Sequence, residues 1–243
     1  MDWKRTRFET RAIHDGQEPE AATGAMIVPI YQTSTYAQEG INQNRGFDYA
    51  RTDNPTRSAL QTAIASLEGG AWGLAYSSGM AAIQNITYLL SAGDHIVMGD
   101  DAYGGTYRLF DKILTRYGIE YSMVDFSDLD ELRGALRDTT KMVITETPTN
   151  PYLKIVDIRA VADILRGRFH DSPQHSALST QHSNASRPLL VVDNTFASPY
   201  VQQPLAHGAD LVAHSATKYL GGHSDVVSGL VVGNDRSVYD TLK

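Results

Sequence analysis

Cysteine is absent from all 243 residues. That excludes disulfides, thiolate metal sites and cysteine nucleophiles, and it fits a reducing compartment. Positive charge is in deficit: 21 Lys and Arg stand against 28 Asp and Glu, a net charge of −7. The basic residues are scattered, with no long run, so a general binder of nucleic acid or anionic membrane is not expected. No apolar window approaches the length of a membrane span; the run from Leu189 to Val192 is strand-sized. The basic residues between Met1 and Phe8 are followed by no apolar stretch, so this end does not read as a secretory signal. The cytoplasm is the expected location. What is present, 42% hydrophobic residues, suffices for the core of one large domain or one domain plus an arm.

Residues 1–56 mix Gly, Pro, Asn, Asp and Thr with short apolar pieces and read as an irregular arm that must pack on something. Asn54-Pro55-Thr56 then opens a helix, with Asn as cap and Pro in the first turn. That helix is expected to run to Leu67 and stop at Gly69-Gly70. Strands are expected near 72–76, 95–99, 119–124, 141–146, 189–193 and 210–214. Helical patterns lie between most of them: Met80, Ile83, Thr87 and Leu90 share one face, and Tyr107, Phe110, Ile113 and Leu114 another. The alternation predicts an α/β domain over 57–243, a mainly parallel sheet with helices on both faces. In such sheets ligands gather at the carboxyl ends of the strands.

One stretch breaks the rhythm. The segment 168–187, rich in Ser, His and Gln, is far longer than its connection requires and reads as an exposed insertion. Its histidines, His170, His175 and His182, have no carboxylate or cysteine at ligand-like spacing, so no metal site is expected. The final residues, from Asp235 to Lys243, read as the start of a helix.

Five motifs carry chemistry. The first is Ser215-Ala216-Thr217-Lys218-Tyr219-Leu220-Gly221-Gly222, directly after an apolar strand. Most lysines are solvated surface charges. This one has two hydroxyls just before it and two glycines just after. Ser215 and Thr217 can donate to a phosphate, and Lys218 suits a covalent Schiff base, which needs a neutral amine. The second is Ser77-Ser78-Gly79-Met80, where a strand gives way to a helix whose first N–H groups favour a phosphate. Small residues at such turns are common, so alone it says little. The third is Asp193, ending an apolar strand. A buried carboxylate needs a partner, and a pyridinium N–H would serve; a capping aspartate is the plainer alternative. The fourth is Asp101-Ala102-Tyr103-Gly104-Gly105-Thr106, whose Tyr103 is either a loop aromatic or a ring that stacks on a flat cofactor. The fifth is Tyr49-Ala50-Arg51 in the arm, a phosphate-binding pair or a surface charge.

Together these residues resemble the Cys/Met-metabolism pyridoxal-phosphate enzymes, the trans-sulfuration family. The resemblance runs from about Thr10 to the end, interrupted by 168–187. Its motifs appear in family order: Phe47 to Arg51 with Asn54-Pro55-Thr56, then Ser77 to Ala82 and Tyr103 to Thr106. Glu146 to Pro151, Val192 to Phe196 and the lysine motif follow. The resemblance implies the large domain of the type I aminotransferase-like fold and pyridoxal 5'-phosphate as cofactor. It makes Lys218 the Schiff-base lysine and proton-moving base. Ser78, Gly79, Met80, Ser215 and Thr217 would hold the phosphate. Asp193 would pair with the pyridine nitrogen beside Thr195, Asn150 would approach the ring hydroxyl, and Tyr103 would stack on the ring and assist proton transfer. Tyr49 and Arg51 would reach the phosphate of a neighbouring subunit, making a homodimer the minimal unit and a homotetramer the usual one. Family members continue past the position of Lys243 into a smaller C-terminal domain, so that domain is expected to be absent from these residues. The implied substrates are small amino acids. Gly105 stands where methionine γ-lyases carry cysteine. Asp48 before Tyr49, with the run from Tyr103 to Phe110, resembles bacterial sequences that form cystathionine by γ-replacement. γ-Elimination from cystathionine is the alternative, then β-elimination or homoserine sulfhydrylation; an inactive fragment or pseudo-enzyme is the alternative outside catalysis.

Overall fold

The structure, a computed structural model, describes residues 6–170 and 187–243. The arm is not wholly irregular. A short helix α1 (Phe8–His14) docks on the next helix through Arg11 Nη1, which donates to Ser66 O at 2.5 Å. Helix α2 (Pro55–Glu68) begins as its sequence dictates: Asn54 Oδ1 accepts from Thr56 N at 2.9 Å, and Pro55 occupies the first turn. It ends at Gly69, in the left-handed conformation. Strand and helix then alternate: β1 (Trp72–Tyr76), α3 (Gly79–Thr87), β2 (His95–Gly99), α4 (Gly104–Arg108), β3 (Glu120–Val124), α5 (Leu129–Ala135) and β4 (Thr140–Glu146). They continue with α6 (Ile158–His170), β5 (Leu189–Asp193), α7 (Ser198–Val201), β6 (Leu211–Ser215), β7 (Gly229–Gly233) and α8 (Arg236–Leu242). Of the helical face expected from Tyr107, Phe110, Ile113 and Leu114, Phe110 and Leu114 are buried with Tyr107 packed against them, but Ile113 is 41% exposed; α4 passes into a π-helical turn at Leu109–Ile113 and a 3-10 turn at Leu114–Tyr117.

The seven strands form one sheet in the order β1-β7-β6-β5-β4-β2-β3. All are parallel except β7, which runs antiparallel between β1 and β6. Six of the strands fall where the sequence pattern puts them; β7 was not anticipated. Its five residues are all buried. A glycine-bounded apolar pentapeptide has no alternation to announce it, because both of its faces are covered.

Alternation along the strands sorts the core into two sides. Ile96, Met98, Met142, Ile144, Val191, Leu211 and Val231 pack with Ile83, Ile86 and Phe110 from α3 and the α4 region. On the other side, Val97, Val143, Leu190 and Val192 pack with Leu132, Val161 and Leu165 from α5 and α6. Val212, Leu230 and Val232 complete that side against Ile64 and Ala65 of α2. The expected helices on both faces are therefore present. Helix α6 runs on to His170, and residues 171–186, with His175 and His182, lie outside the described residues. Among the described residues no helix is long and apolar enough to cross a membrane, and no cluster of potential metal ligands occurs.

Candidate active site

The parallel strands bring the carboxyl ends of β1, β2, β4, β5 and β6 to one edge, and a cleft of about 270 Å³ opens there. Ser78, Gly79 and Met80 line it from the start of α3. Ser78 Oγ caps that helix by accepting from Ala81 N at 3.0 Å. The first N–H groups of a helix have no partner within it, and those of Gly79 and Met80, two residues that line the cleft, have no hydrogen-bond acceptor among the described residues. A Cβ at Gly79 would stand 2.7 Å from Ser215 Cβ, so only glycine lets α3 press against the end of β6.

Strand β5 ends at Asp193. Thr195 donates to Asp193 Oδ1 twice, from its hydroxyl at 2.5 Å and its backbone N–H at 3.0 Å. Thr195 Oγ1 in turn accepts from Ser215 N at 2.8 Å, tying β5 to β6. Asp193 Oδ2 has no hydrogen bond among the described residues and lines the cleft. Burial pushes this carboxyl above its ordinary range, opposed by the two Thr195 bonds and by the charge of His214.

Beside it stands a residue the sequence reading quoted in a motif but gave no role. Glu146 ends β4 directly opposite Asp193 in the strand register. Its pKa is pushed up to about 8, first by burial and then by the charge of Asp193. Its Oε2 accepts from Tyr103 N at 3.3 Å. The rule that drew attention to Asp193, a carboxylate at a strand's carboxyl end, applies equally to Glu146. Both side chains share the face of Val191 and Ile144, which is the cleft side.

Tyr103 is the residue before α4 and remains 48% exposed at the cleft mouth. Its ring rests against Gly105, where a Cβ would lie 2.5 Å from Tyr103 Cε1 and 2.8 Å from Met80 Sδ. The loop before it is stitched to the loop after β4. Thr149 Oγ1 donates to Asp101 Oδ2 at 2.5 Å, and Tyr152 N donates to the same oxygen at 3.1 Å. That stitch brings Asn150 to the cleft wall.

Lys218 follows β6 on a tight turn: its N–H donates to Ser215 O at 3.1 Å, and Gly222 N donates to Lys218 O at 2.8 Å. Its side chain makes no hydrogen bond or ion pair among the described residues. It lies between the cleft and a wider hollow of about 640 Å³ bounded by Phe196, Tyr219, Asp225 and Val226. Thr217 is less free than its neighbour Ser215. Its hydroxyl donates to Ser228 O at 3.3 Å and accepts from Ser228 N at 3.1 Å, clipping the lysine turn to the start of β7.

Ten of the twelve site candidates thus meet in one cleft. Tyr49 and Arg51 do not. They sit in the arm, with the Arg51 guanidinium 5.0 Å from the Tyr49 ring centroid.

The sequence profile of the Cys/Met metabolism PLP-dependent enzymes matches residues 9–243. The chain belongs to that family. It is 51% identical over 233 residues to a cystathionine beta-lyase of Lactococcus lactis subsp. cremoris, covering 96% of this chain and 57% of that protein. It is 50% identical to the cystathionine gamma-synthase of Mycobacterium tuberculosis, covering 94% of this chain and 55% of that one. The crystal structure of a cystathionine gamma-lyase from Lactobacillus plantarum, complexed with L-serine, superimposes with a TM-score of 0.87 at 47% identity. That match covers 98% of this chain and 57% of the other. The chain therefore spans little more than half the length of these relatives. The family's cofactor is pyridoxal 5'-phosphate, and the cleft suits it. An amine with no partner among the described residues, a carboxylate with one oxygen unengaged among them, the start of a helix and an aromatic ring line the same space.

Proposed function

We propose that this chain is the cofactor-binding portion of a trans-sulfuration enzyme, a cystathionine γ-synthase that joins cysteine to an O-acylhomoserine. The observation that carries the reading is the one cleft shared by Lys218, Asp193, Tyr103 and the start of α3. When bound, pyridoxal 5'-phosphate supplies an electron sink through its protonated ring. Lys218 holds the cofactor and then moves protons at the substrate's α- and β-carbons. Asp193, whose Oδ1 is braced by Thr195, would use its other oxygen to keep the ring nitrogen protonated. The N–H groups of Gly79 and Met80, with the Ser78 and Ser215 hydroxyls, hold the phosphate. Thr217 joins them while its clip to Ser228 steadies the lysine turn. Asn150 and Tyr103, which line the cleft, would hold the ring, Asn150 toward its hydroxyl and Tyr103 by stacking, and Tyr103 would assist proton transfer.

The choice of γ-replacement rests on Gly105 and the run from Tyr103 to Phe110. A side chain at 105 would displace the Tyr103 ring, so glycine here goes with a particular ring position. γ-Elimination from cystathionine is the second reading, because the chain is 47% identical to a relative named for it, close to the 50% to one named for the synthase. Those reactions share their early steps, which are the steps this cleft serves. The reading includes a homodimer, assembled further into a homotetramer, in which Tyr49 and Arg51 complete a partner's phosphate site. In support, Met26, Ile27, Ile30 and Ile41 of the arm are 66–92% exposed. A cytoplasmic location completes it, in keeping with a chain free of cysteine.

Two measurements test this. Adding pyridoxal 5'-phosphate should raise a visible absorption band that Lys218→Ala abolishes; no band, or the same band in the variant, removes the cofactor role of Lys218. With O-succinylhomoserine and cysteine the product should be cystathionine. Formation of 2-oxobutyrate alone, from that mixture and from cystathionine, would replace the synthase reading with the lyase.

A further inference from the structure

Beneath the cleft, on the opposite side of the sheet, two ionisable side chains are buried in apolar surroundings. Glu68, the last residue of α2, and His214, on β6, are each 1% exposed. The same side carries Val212 of β6 and Ile64 and Ala65 of α2. His214 Nε2 lies 2.5 Å from Glu68 Oε1. Glu68 Oε2 and His214 Nδ1 have no hydrogen-bond partner among the described residues. Burying such groups half-satisfied is costly. A carboxylate in the last turn of a helix also faces the negative end of the helix dipole, so α2 gains nothing from it.

What the pair does follows from what it touches. Asn194 Nδ2 donates to Glu68 Oε1 at 2.8 Å and to Gln202 O at 2.9 Å, and Asn194 Oδ1 accepts from Gln202 Nε2 at 2.9 Å. Its backbone N–H donates to Ala213 O at 2.9 Å. Asn194 is fully buried and is the middle residue of the turn Asp193-Asn194-Thr195. Extended backbone sends neighbouring side chains to opposite faces. With Asn194 pinned below the sheet, Asp193 is held up into the cleft.

We infer that Glu68 and His214 form a buried anchor that, through Asn194, aims Asp193 at the pyridine nitrogen of the cofactor. They are positioning residues, and the inference rests on the reading of Asp193 as that nitrogen's partner. The charge of His214 acts in the same sense, easing ionisation of Asp193 across the sheet.

The test uses the full chain, titrated with pyridoxal 5'-phosphate labelled with nitrogen-15 in the ring. It reads the dissociation constant and the nitrogen chemical shift, which reports ring protonation. Asp193→Asn is the reference and should change both. Glu68→Leu and Asn194→Ala should weaken binding by roughly tenfold, as removal of an orienting partner does elsewhere, and shift the nitrogen signal in the direction of Asp193→Asn. Glu68→Gln, which keeps an acceptor for Asn194 and His214, should restore most of the affinity. If Glu68→Leu does not fold, Asn194→Ala decides. Native affinity and native shift in the folded variants, with Asp193→Asn altered, would overturn the anchor and leave the Asp193 reading intact. An unaltered Asp193→Asn would overturn that reading, and the anchor's purpose with it.

Discussion

In the cleft, side chains from separate strand ends hold one another; in the arm, the Arg51 guanidinium rests on the Tyr49 ring and neither side chain makes a hydrogen bond among the described residues. The cleft's chain of bonds runs from Ser215 through Thr195 to Asp193, across two strands. The arm's backbone is also well held. Ala50 N donates to Ser34 O at 2.8 Å, and Arg57 reaches back to the carbonyls of Ala50, Arg51 and Thr52. Yet Ile13, Met26, Ile27, Ile30 and Ile41, which are 62–92% exposed, stay in solvent. Ordered backbone with unburied apolar side chains is what a surface made for another chain looks like. The difference separates a cleft whose side chains brace one another from an arm that leaves apolar side chains in solvent, the two joined at the start of α2.

The sharpest way to break that division is Lys218→Ala. Turnover should fall by roughly 10³-fold, the scale of a lost proton-moving group, while thermal unfolding and self-association stay as in the parent. Arg51→Ala should separate the two parts. Cofactor affinity should drop about tenfold, the worth of one charge-assisted hydrogen bond, at protein concentrations where the chain self-associates. Titrations at dilutions that give monomers should show no difference; equal loss in both regimes would mean that the arm serves its own cleft. Asn54→Ala tests the joint. Its side chain caps α2 and donates to Tyr31 O at 2.9 Å, so denaturant unfolding should report a loss of about 1 kcal/mol, with Lys218 chemistry unchanged.

A pH-dependent effect belongs to Glu146, whose carboxyl is pushed up to about 8 in the fold. An acid held protonated when folded keeps its proton while the unfolded chain loses it. Stability is therefore undiminished below the ordinary carboxylate range and falls as pH rises from there to about 8. Glu146→Gln should remove that fall. The cofactor-free variant should melt higher than the parent at pH 8 and alongside it at pH 4. A melting difference independent of pH would show that Glu146 is ionised throughout.

Much of this was legible in the residues. The helix from Asn54 and the six strands depend on caps, glycines and apolar runs within a few positions of one another, and those signals are local. The rule that polar residues matter at strand ends marks Asp193, Tyr103 and Lys218 from the sequence. Glu146 escaped because a glutamate after Ile144-Thr145 looks like the exposed end of a strand; only its register opposite Asp193 makes it unusual. Thr217 read as a phosphate ligand because hydroxyls suit phosphate, whereas its bonds to Ser228 depend on where β7 returns.

By itself, then, the sequence determined the elements, their alternation, and a set of residues chemically fit for pyridoxal phosphate. Tertiary structure decided which of them meet. It slotted β7 antiparallel between β1 and β6, set Glu146 beside Asp193, and placed His214 against Glu68 from 146 residues away. Such pairings answer to strand order and to the closing of long loops around a packed core, and no window of neighbouring residues encodes them.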